Sequence, residues 1–482
     1  MNFNLSDIVA ISPLIWLFLA SVIPITVKAF NNGKEMNPFT ALMWSVIGLM
    51  GAAALTLSAV NSFWKISEYN FVEAFNQAII IDGITVWASY IIYVVVGFCL
   101  FLVYDSHATR DRQFSEHLFL ILNATIGMAL AVMSNNLIVT FMAIELMSLS
   151  TYLLIALNKE KLLSKEASFK YFVLGSVSSA IFLYGIAFLY GGVGSTSLHE
   201  IGELAAQLYQ ANALFRFGVI LTIIGFAFKV SLVPFHSWTP DVYQGSATPV
   251  TSVMATAVKV ASFIAFLRFF LYADFYDING ESFISFIQWL AALTMIVGNV
   301  AALKQESFKR MLAYSSVAHS GYAFMAVIAS TFGRDSDAGI ASLIFYLLSY
   351  TIMTVGTLAL AVLLEKSEKS VVLIKDLRGL GTRSPLVALS LSVLLFSLAG
   401  LPPSIGFFGK FYVFSAALEQ GLIWLTFLAV ISSVVSVYFY LKPIVYMYMH
   451  EGEGLEPREE AFFSQSIVYL TAIGVVVLGI FS

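Results

Sequence analysis

Long apolar runs separated by short polar connections occupy almost the whole chain. A helix needs about 20 apolar residues to cross the hydrocarbon core of a bilayer, which is roughly 30 Å thick. Fourteen runs come close to that length, if one run with a break counts as a single segment. The pattern predicts an all-α integral membrane protein with about 14 transmembrane helices, near residues 8–27, 40–60, 78–104, 117–133, 137–157, 167–190, 213–233, 247–272, 283–303, 311–331, 340–364, 386–418, 422–447 and 464–481.

The composition supports a membrane protein and excludes several other classes. Of the 482 residues 59% are hydrophobic and 11% are charged, which lies far outside the range of soluble domains. One cysteine, Cys99, and six scattered histidines offer no spacing suited to an iron–sulfur cluster, a zinc site or a haem. Glycine-rich phosphate loops and basic nucleic-acid patches are also missing from the sequence. We therefore expect no catalytic, cofactor-binding or metal-ligating residue, and we interpret Cys99 as a packing residue.

The basic residues indicate an orientation. Seventeen of the 25 Lys and Arg residues, Lys309 among them, lie in connections that follow odd-numbered segments, whereas four, including Arg268, lie in connections after even-numbered ones. Cytoplasmic loops carry the excess of basic residues, so we expect the odd connections in the cytoplasm and both termini in the periplasm. The first segment should remain as a helix, because Met1–Asp7 has no basic residue and no cleavage pattern follows.

Four lysines lie inside long apolar runs, and the run at 137–157 carries a single carboxylate near its middle. A charge at the centre of a bilayer costs roughly 2.5–3.5 kcal/mol on insertion scales, so such residues are usually functional. A path for protons or ions is therefore the leading hypothesis, and its candidate residues are Glu145, Lys170, Lys229, Lys259 and Lys410.

Two of the predicted segments are interrupted by prolines. Pro234 and Pro240 end the seventh segment, and Pro402 and Pro403 divide the twelfth. Irregular backbone at membrane depth is tolerated only where it is buried in protein or lines a hydrated cavity, so both breaks should lie on the conduction route.

The two breaks follow the starts of segments 4 and 9 at nearly the same spacing, which predicts two five-helix repeats. Because five is odd, the second repeat must be inverted relative to the first. The resulting domains are 1–110, an N-terminal three-helix region; 111–275 and 276–450, the two repeats; and 451–482, a C-terminal helix.

Several long motifs resemble the antiporter-like membrane subunits of respiratory complex I. The resemblance covers nearly the whole chain, and its motifs are collinear. They are Glu145 in its helix, the stretch from Phe228 to Asp241, Lys259 in the next helix, the stretch from Lys309 to Tyr322, and Gly406 to Lys410.

This resemblance implies a proton-translocating membrane subunit of NADH:quinone oxidoreductase (complex I, NDH-1) that carries no redox site itself. FMN, iron–sulfur clusters and quinone are then expected in partner subunits, and quinone reduction there would drive protons along a buried Glu/Lys axis. The implied partners are M-like and K-like membrane subunits and the lateral helix of an L-like subunit, in the bilayer of a bacterial cell inner membrane and without nucleic acid.

The family's roles transfer residue by residue. Glu145 matches the fifth-helix glutamate, Lys229 its seventh-helix lysine partner, Lys259 the central eighth-helix residue, and Lys410 the twelfth-helix residue toward the exit. Lys170 matches a sixth-helix lysine. His319 lies in a polar cluster mid-segment, where it is positioned to relay protons between Lys259 and Lys410 or to serve as a hydrogen-bonded structural residue.

Alternatives remain open for the individual residues. The Glu/Lys axis is also compatible with a static ion pair, and Lys170 with a plain pair to Glu166 one turn earlier. His236, Asp241 and Asp82 are simplest as helix caps. Five hydroxyl residues near Glu145 and Lys259 either hold waters or bond back to their own helices, namely Ser148, Tyr152, Ser252, Thr256 and Ser262.

Other functions also remain open. They are a subunit of a sodium or potassium to proton antiporter of the Mrp type, a membrane subunit of a related hydrogenase, and a passive spacer. An oxygen-rich site would favour a metal cation, so the lysine-dominated axis disfavours the antiporter.

Overall fold

Almost all of the described chain is helical in the computed structural model. It describes residues 5–64, 72–110, 113–158, 161–272, 281–332, 336–365, 372–452 and 454–482. One small antiparallel sheet of two strands accompanies the helices. The prediction of an all-α membrane protein is confirmed.

The first part of the chain forms four helices and the sheet. The strands pair Val72 with Ile81 and Ala74 with Ile79. Asp82 caps the third helix by accepting a hydrogen bond from the backbone N–H of Thr85 (2.8 Å). The elements are α1 (Leu5–Phe30), α2 (Pro38–Trp64), β1 (Val72–Ala74), β2 (Ile79–Ile81), α3 (Gly83–Asp105) and α4 (His107–Arg110).

The next eight helices contain the first proline-rich break. Asn136 begins the second of them as an N-cap, accepting from the backbone N–H groups of Ile138 and Val139. The helices are α5 (Phe114–Met133), α6 (Leu137–Ala156), α7 (Leu162–Val193), α8 (Leu198–Ala211), α9 (Ala213–Lys229), α10 (Trp238–Gly245), α11 (Thr248–Ala255) and α12 (Ala257–Tyr272).

The remaining helices contain the second proline-rich break. A 3-10 turn at Ile374–Leu377 precedes the short helix α16. The helices are α13 (Glu281–Leu303), α14 (Phe308–Thr331), α15 (Ser336–Leu364), α16 (Leu380–Arg383), α17 (Pro385–Ala399), α18 (Ile405–Glu419), α19 (Ile423–Met449) and α20 (Phe462–Ile480).

The helices match the predicted segments closely. Twelve helices in the described part of the chain are long and apolar enough to cross a membrane. The number of spans is thirteen if α8 and α9, between which the chain bends by 119°, count as one span. The short helices α17 and α18 together make up the twelfth predicted segment, on either side of its break.

Three spans, made of four helices, form the interior of the bundle. In their most apolar windows, 100% of the residues are buried in the span of α11 and α12, 94% in α14 and 89% in α15, against 33% in α1 and α7. The outer helices therefore present apolar faces to lipid or to other subunits, whereas a charge on α12 or α14 must be solvated by the protein itself.

Side chains satisfy the backbone at both predicted breaks. After Lys229 the chain leaves the helix, and the Trp238 indole N–H donates to the carbonyl of Phe228 (3.0 Å). The backbone N–H of Val233 donates to Thr294 Oγ1 (2.9 Å).

At the second break Lys410 Nζ donates to the carbonyls of Leu398 (3.0 Å) and Ala399 (2.9 Å). Irregular backbone at this depth is stable because buried partners replace water.

A third break, in the eighth segment, is not visible in the sequence. Thr256 has φ −119° and ψ −84°, so α11 ends at Ala255 and a new helix begins at Ala257. The sequence analysis identified no break in this segment. The break places Lys259 in the first turn of α12.

Two basic residues that the sequence analysis placed in connections are buried in helices. Lys309 lies in the first turn of α14 and is 5% exposed. Arg268 lies within α12, and its Nη2 and Nη1 atoms bind the two carboxylate oxygens of Asp82 at 2.7 and 3.1 Å. Burial disfavours the charged form of Asp82, but the attraction of Arg268 outweighs it and holds the pKa of that carboxyl below its usual range.

We expect Asp82→Asn to lower the free energy of unfolding by about 3–5 kcal/mol, because it leaves the guanidinium of Arg268 buried without a counter-ion. Denaturant unfolding of the detergent-solubilised protein measures this. The contribution is present at neutral pH and is lost as the pH falls through the folded-state pKa of Asp82. Glu203→Gln is the matched control, since its pair with His199 is exposed and should cost less than about 1 kcal/mol. Equal losses in the two variants would contradict the expectation.

Candidate functional site

Glu145 and Lys229 are brought close together but are separated by a serine. The half-buried carboxylate of Glu145 on α6 accepts a hydrogen bond from Ser179 on α7. Lys229 Nζ donates to Ser148 Oγ (2.8 Å), one turn along α6 from Glu145. Ser148 also donates to the carbonyl of Ile144 (2.6 Å), so it bonds back to its own helix and accepts from the lysine at the same time.

Lys259 is solvated by α14 and α15. Its Nζ donates to the carbonyl of Ser316 and to Ser320 Oγ, both at 2.6 Å. It lies 5.9 Å from the ring centroid of Tyr350, whose hydroxyl donates to Ser316 Oγ (2.8 Å). The lysine is therefore surrounded by neutral dipoles.

Lys410 occupies the second break in a similar way. Besides the two carbonyls at the end of α17, its Nζ donates to Ser433 Oγ on α19 (2.9 Å). The ring centroid of Tyr322 lies 5.4 Å away. Gly400, at φ +87°, ends α17, and a Cβ there would lie 2.9 Å from Cδ of Lys410. A glycine is thus required both by the backbone conformation and by the approach of the lysine.

These three lysines share one arrangement. They are 5%, 2% and 4% exposed, yet none of them lies within 4.0 Å of a carboxylate of the described residues. Each donates to a serine hydroxyl, has a tyrosine ring within about 6 Å, and lies at an interruption of a helix: Lys229 at the end of α9, Lys259 after Thr256, and Lys410 beside Gly400.

His319 lies between Lys259 and Lys410 in a group of tyrosines. Its Nδ1 is 2.6 Å from the hydroxyl of Tyr346, and its Nε2 is 3.1 Å from the hydroxyl of Tyr440, which also contacts Ser315. A small cavity is lined by Lys259, His319, Tyr346 and Tyr350. The position fits a relay, and a hydrogen-bonded neutral imidazole equally fits these contacts.

Lys170 lies apart from this axis, at the end of the bundle. Its side chain is 40% exposed and its Nζ pairs with Glu166 (2.7 Å) and Asp241 (2.8 Å). Asp241 also accepts from Arg310 of α14 (2.7 Å). Asp241 is thus a partner in ion pairs, and the interpretation of this residue as a cap is wrong, because Ser237 is the residue that precedes α10.

The hydroxyl residues near Glu145 and Lys259 had two alternative roles, which were to hold waters or to bond back to their own helices. Thr256 and Ser262 donate back to the carbonyls of Ser252 and Val258, as the simpler alternative predicts. Ser252 instead accepts from the buried thiol of Cys99 (3.3 Å). The Tyr152 hydroxyl and His236 Nδ1 are buried and have no hydrogen-bond partner within the described residues.

Sequence reasoning missed a second buried cluster. Lys309 Nζ donates to the carbonyl of Ser246 (2.8 Å) and to Thr248 Oγ1 (3.0 Å), while Thr248 donates to Glu365. Both charged residues stand at the ends of apolar runs, where they look like parts of connections. The tyrosines at 346 and 350 were also missed, although their spacing puts them on one face of a helix.

Broken helices that hold buried lysines define a class of polytopic membrane proteins with a polar axis through the bilayer. The model of the NADH:quinone oxidoreductase/Mrp antiporter transmembrane family matches residues 134–436. The chain belongs to this family, as predicted.

Comparisons with individual proteins agree. The chain is 44% identical to NADH-quinone oxidoreductase subunit N of Bdellovibrio bacteriovorus over 482 residues, which is 100% of this chain and 97% of the relative. A chain of respiratory complex I from Thermus thermophilus matches with a TM-score of 0.79 and 32% identity, covering 97% of this chain and 96% of that one. The Mrp complex from Dietzia matches with a TM-score of 0.79 and 18% identity, covering 99% and 95%, and shows the fold alone. The predicted resemblance to subunit N in particular, suggested by the stretch from Trp238 to Gly245 and by Lys410, is confirmed.

We expect Gly400→Ala to destabilise the protein more than Gly421→Ala. Both positions have positive φ, which costs an alanine roughly 1–2 kcal/mol. Only Gly400 has an obstruction, because its new Cβ would push against Lys410, whereas a Cβ at Gly421 meets nothing within 4 Å. Thermal unfolding of the two purified variants compares them directly. A midpoint for Gly400→Ala equal to that of Gly421→Ala would show that the lysine yields freely.

Proposed function

We propose that this chain is a proton-translocating membrane subunit of an NADH:quinone oxidoreductase of the complex I type. The similarity to subunit N over the full chain supports this assignment. The observation that carries the mechanism is the arrangement shared by Lys229, Lys259 and Lys410, each buried at a helix break and hydrogen-bonded to a serine hydroxyl. Backbone carbonyls are further acceptors for Lys259 and Lys410.

Solvation by neutral dipoles suits a residue that must gain and lose a proton. A carboxylate in direct contact would hold the ammonium permanently charged, whereas desolvation alone would keep the amine neutral. Hydroxyls and carbonyls lie between these limits, so a small change in geometry decides whether the lysine carries a proton. Glu145, one turn from Ser148, is placed to make that change for Lys229 when the distance between them varies.

The path runs along Glu145, Lys229, Lys259, His319 and Lys410, and waters complete the gaps between the lysines. We assign Lys170 a supporting role outside the proton path, because its ion pairs with Glu166 and Asp241 hold its side chain at the end of the bundle. Each proton that crosses 100 mV meets about 2.3 kcal/mol, which the redox reaction must supply. That reaction, with FMN, iron–sulfur clusters and quinone, takes place in partner subunits, with M-like, K-like and L-like membrane subunits as neighbours.

We also propose that the chain divides into four regions, 1–110, 111–275, 276–450 and 451–482, and that the middle two are inverted repeats of each other. The protein lies in a bacterial inner membrane, with both termini in the periplasm. The family is shared with Mrp antiporters. The lysines, however, offer hydrogen-bond donors where a metal cation needs oxygen ligands.

Glu145→Ala, Lys229→Ala and Lys259→Ala should each lower proton pumping and coupled NADH:quinone turnover together in the assembled complex, because each removes a proton-carrying group. The ratio of protons to electrons in inverted membrane vesicles measures pumping, and native gels confirm assembly. Glu203→Ala, which changes an exposed residue of α8, is the control and should leave both rates unchanged. Normal pumping in all three axis variants would refute the pathway and favour a passive spacer.

A single cysteine at position 375 should be labelled only from the cytoplasmic face by a membrane-impermeant maleimide. Lys375 is exposed in the connection before α16, and the native Cys99 is buried and will not interfere. His199→Cys, at the exposed start of α8, is the matched control and should label only from the periplasm. The reverse pattern would invert the proposed orientation.

A further inference from the structure

We propose that Glu365, Thr248 and Lys309 form the relay through which protons enter this chain and reach Lys259. The inference rests on the proposed proton translocation and adds its entrance. Glu365 follows the end of α15, Thr248 begins α11, and Lys309 lies in the first turn of α14.

The relay consists of a carboxylate and a lysine joined by a hydroxyl. Thr248 Oγ1 donates to Glu365 Oε1 and accepts from Lys309 Nζ at 3.0 Å. The two charged groups themselves are 4.0 Å apart, and their side chains are only 14% and 6% exposed. A bound hydroxyl can accept a proton on one side while it releases its own on the other, so this arrangement conducts protons without large motions.

Comparison with a structural ion pair in the same protein shows the difference. The guanidinium of Arg268 binds the carboxylate of Asp82 directly through two hydrogen bonds, as expected where an ion pair fixes the packing of helices. The cluster at Lys309 instead resembles the one at Lys229, where Ser148 stands beside the lysine and Glu145 lies one turn away. The same three chemical groups therefore occur twice in the chain.

The cluster lies at the face of the bilayer that carries the basic connections. Glu365 immediately precedes one of them, and Lys161 and Arg458 lie close enough to interact with its charge. Burial lowers the pKa of Lys161, and the charge of Glu365 opposes that effect. Glu365 therefore lies among cationic side chains at this face.

The way inward follows α14. Ser316, whose carbonyl accepts from Lys259, lies seven residues after Lys309, which is about 10 Å along the helix. The hydroxyl of Tyr243 is buried near Tyr350 and interacts with the side chain of Ser316. Hydroxyls at this position are suited to hold the water that bridges the gap.

The transfer balances without any electron movement. A hydronium ion at this face gives its proton to the Glu365 carboxylate and leaves a water molecule. The new O–H bond then breaks toward Thr248 Oγ1 as the Thr248 hydroxyl gives its own proton to the neutral amine of Lys309. The hydrogen bonds from Lys309 to Thr248 and from Thr248 to Glu365 run in the direction expected after this transfer.

The decisive experiment replaces the hydroxyl. Thr248→Val keeps the shape of the side chain and breaks the relay, whereas Thr248→Ser keeps the hydroxyl and is the matched control. In the assembled complex in inverted vesicles, we expect Thr248→Val and Glu365→Gln to slow coupled proton uptake about tenfold or more. Thr248→Ser should stay near the wild type. Lys259→Ala serves as the reference for a blocked axis.

A purely structural ion pair gives a different result. In that case the double variant Glu365→Gln with Lys309→Met should restore pumping, because removing both charges of a buried pair is often neutral. Such a rescue would overturn the relay, and persistent loss supports it. Normal pumping in Thr248→Val and Glu365→Gln beside a blocked Lys259→Ala refutes the entrance but leaves the proposed function standing. Normal pumping in Lys259→Ala overturns both.

Discussion

The cost of holding an ammonium group in hydrocarbon governs this structure. Each of the lysines at 229, 259 and 410 must be solvated where no bulk water reaches, and the protein does so with backbone carbonyls and hydroxyls. Lys410 binds carbonyls left free where α17 ends, whereas Lys259 shares a carbonyl of the unbroken helix α14. Each of the three lysines nevertheless lies at a helix break, and Lys259 belongs to the most deeply buried span of the bundle.

Much of this arrangement was predictable because it depends on residues that differ in type from their neighbours along the chain. A lone charge in an apolar run, such as Glu145 or Lys259, stands out by composition, and a helix break made with proline, as at Pro234 and Pro402, is visible in the sequence. The number and order of the helices follow from run length alone. The positions of Lys229 and Lys410 at the proline-rich breaks then follow from adjacency along the chain.

The remainder depends on contacts between distant parts of the chain. Thr256 interrupts its helix without proline or glycine. Thr248 contacts Lys309, which is 61 residues away in the sequence, and Glu365, which is 117 residues away. No local pattern in the sequence indicates either contact. Arg268 looked like part of a connection because its counter-ion, Asp82, is supplied by an element 186 residues earlier.

One carboxylate links three helices of the bundle mechanically. Asp241 is gripped by Lys170 of α7 on one oxygen and by Arg310 of α14 on the other. Sliding α14 against α7 must stretch one of these bonds or drag along the short helix α10 that carries Asp241. A displacement of α7 at the edge of the bundle would therefore reach the segment between Lys229 and Lys259, because Asp241 couples this outer helix to the deeply buried helix α14.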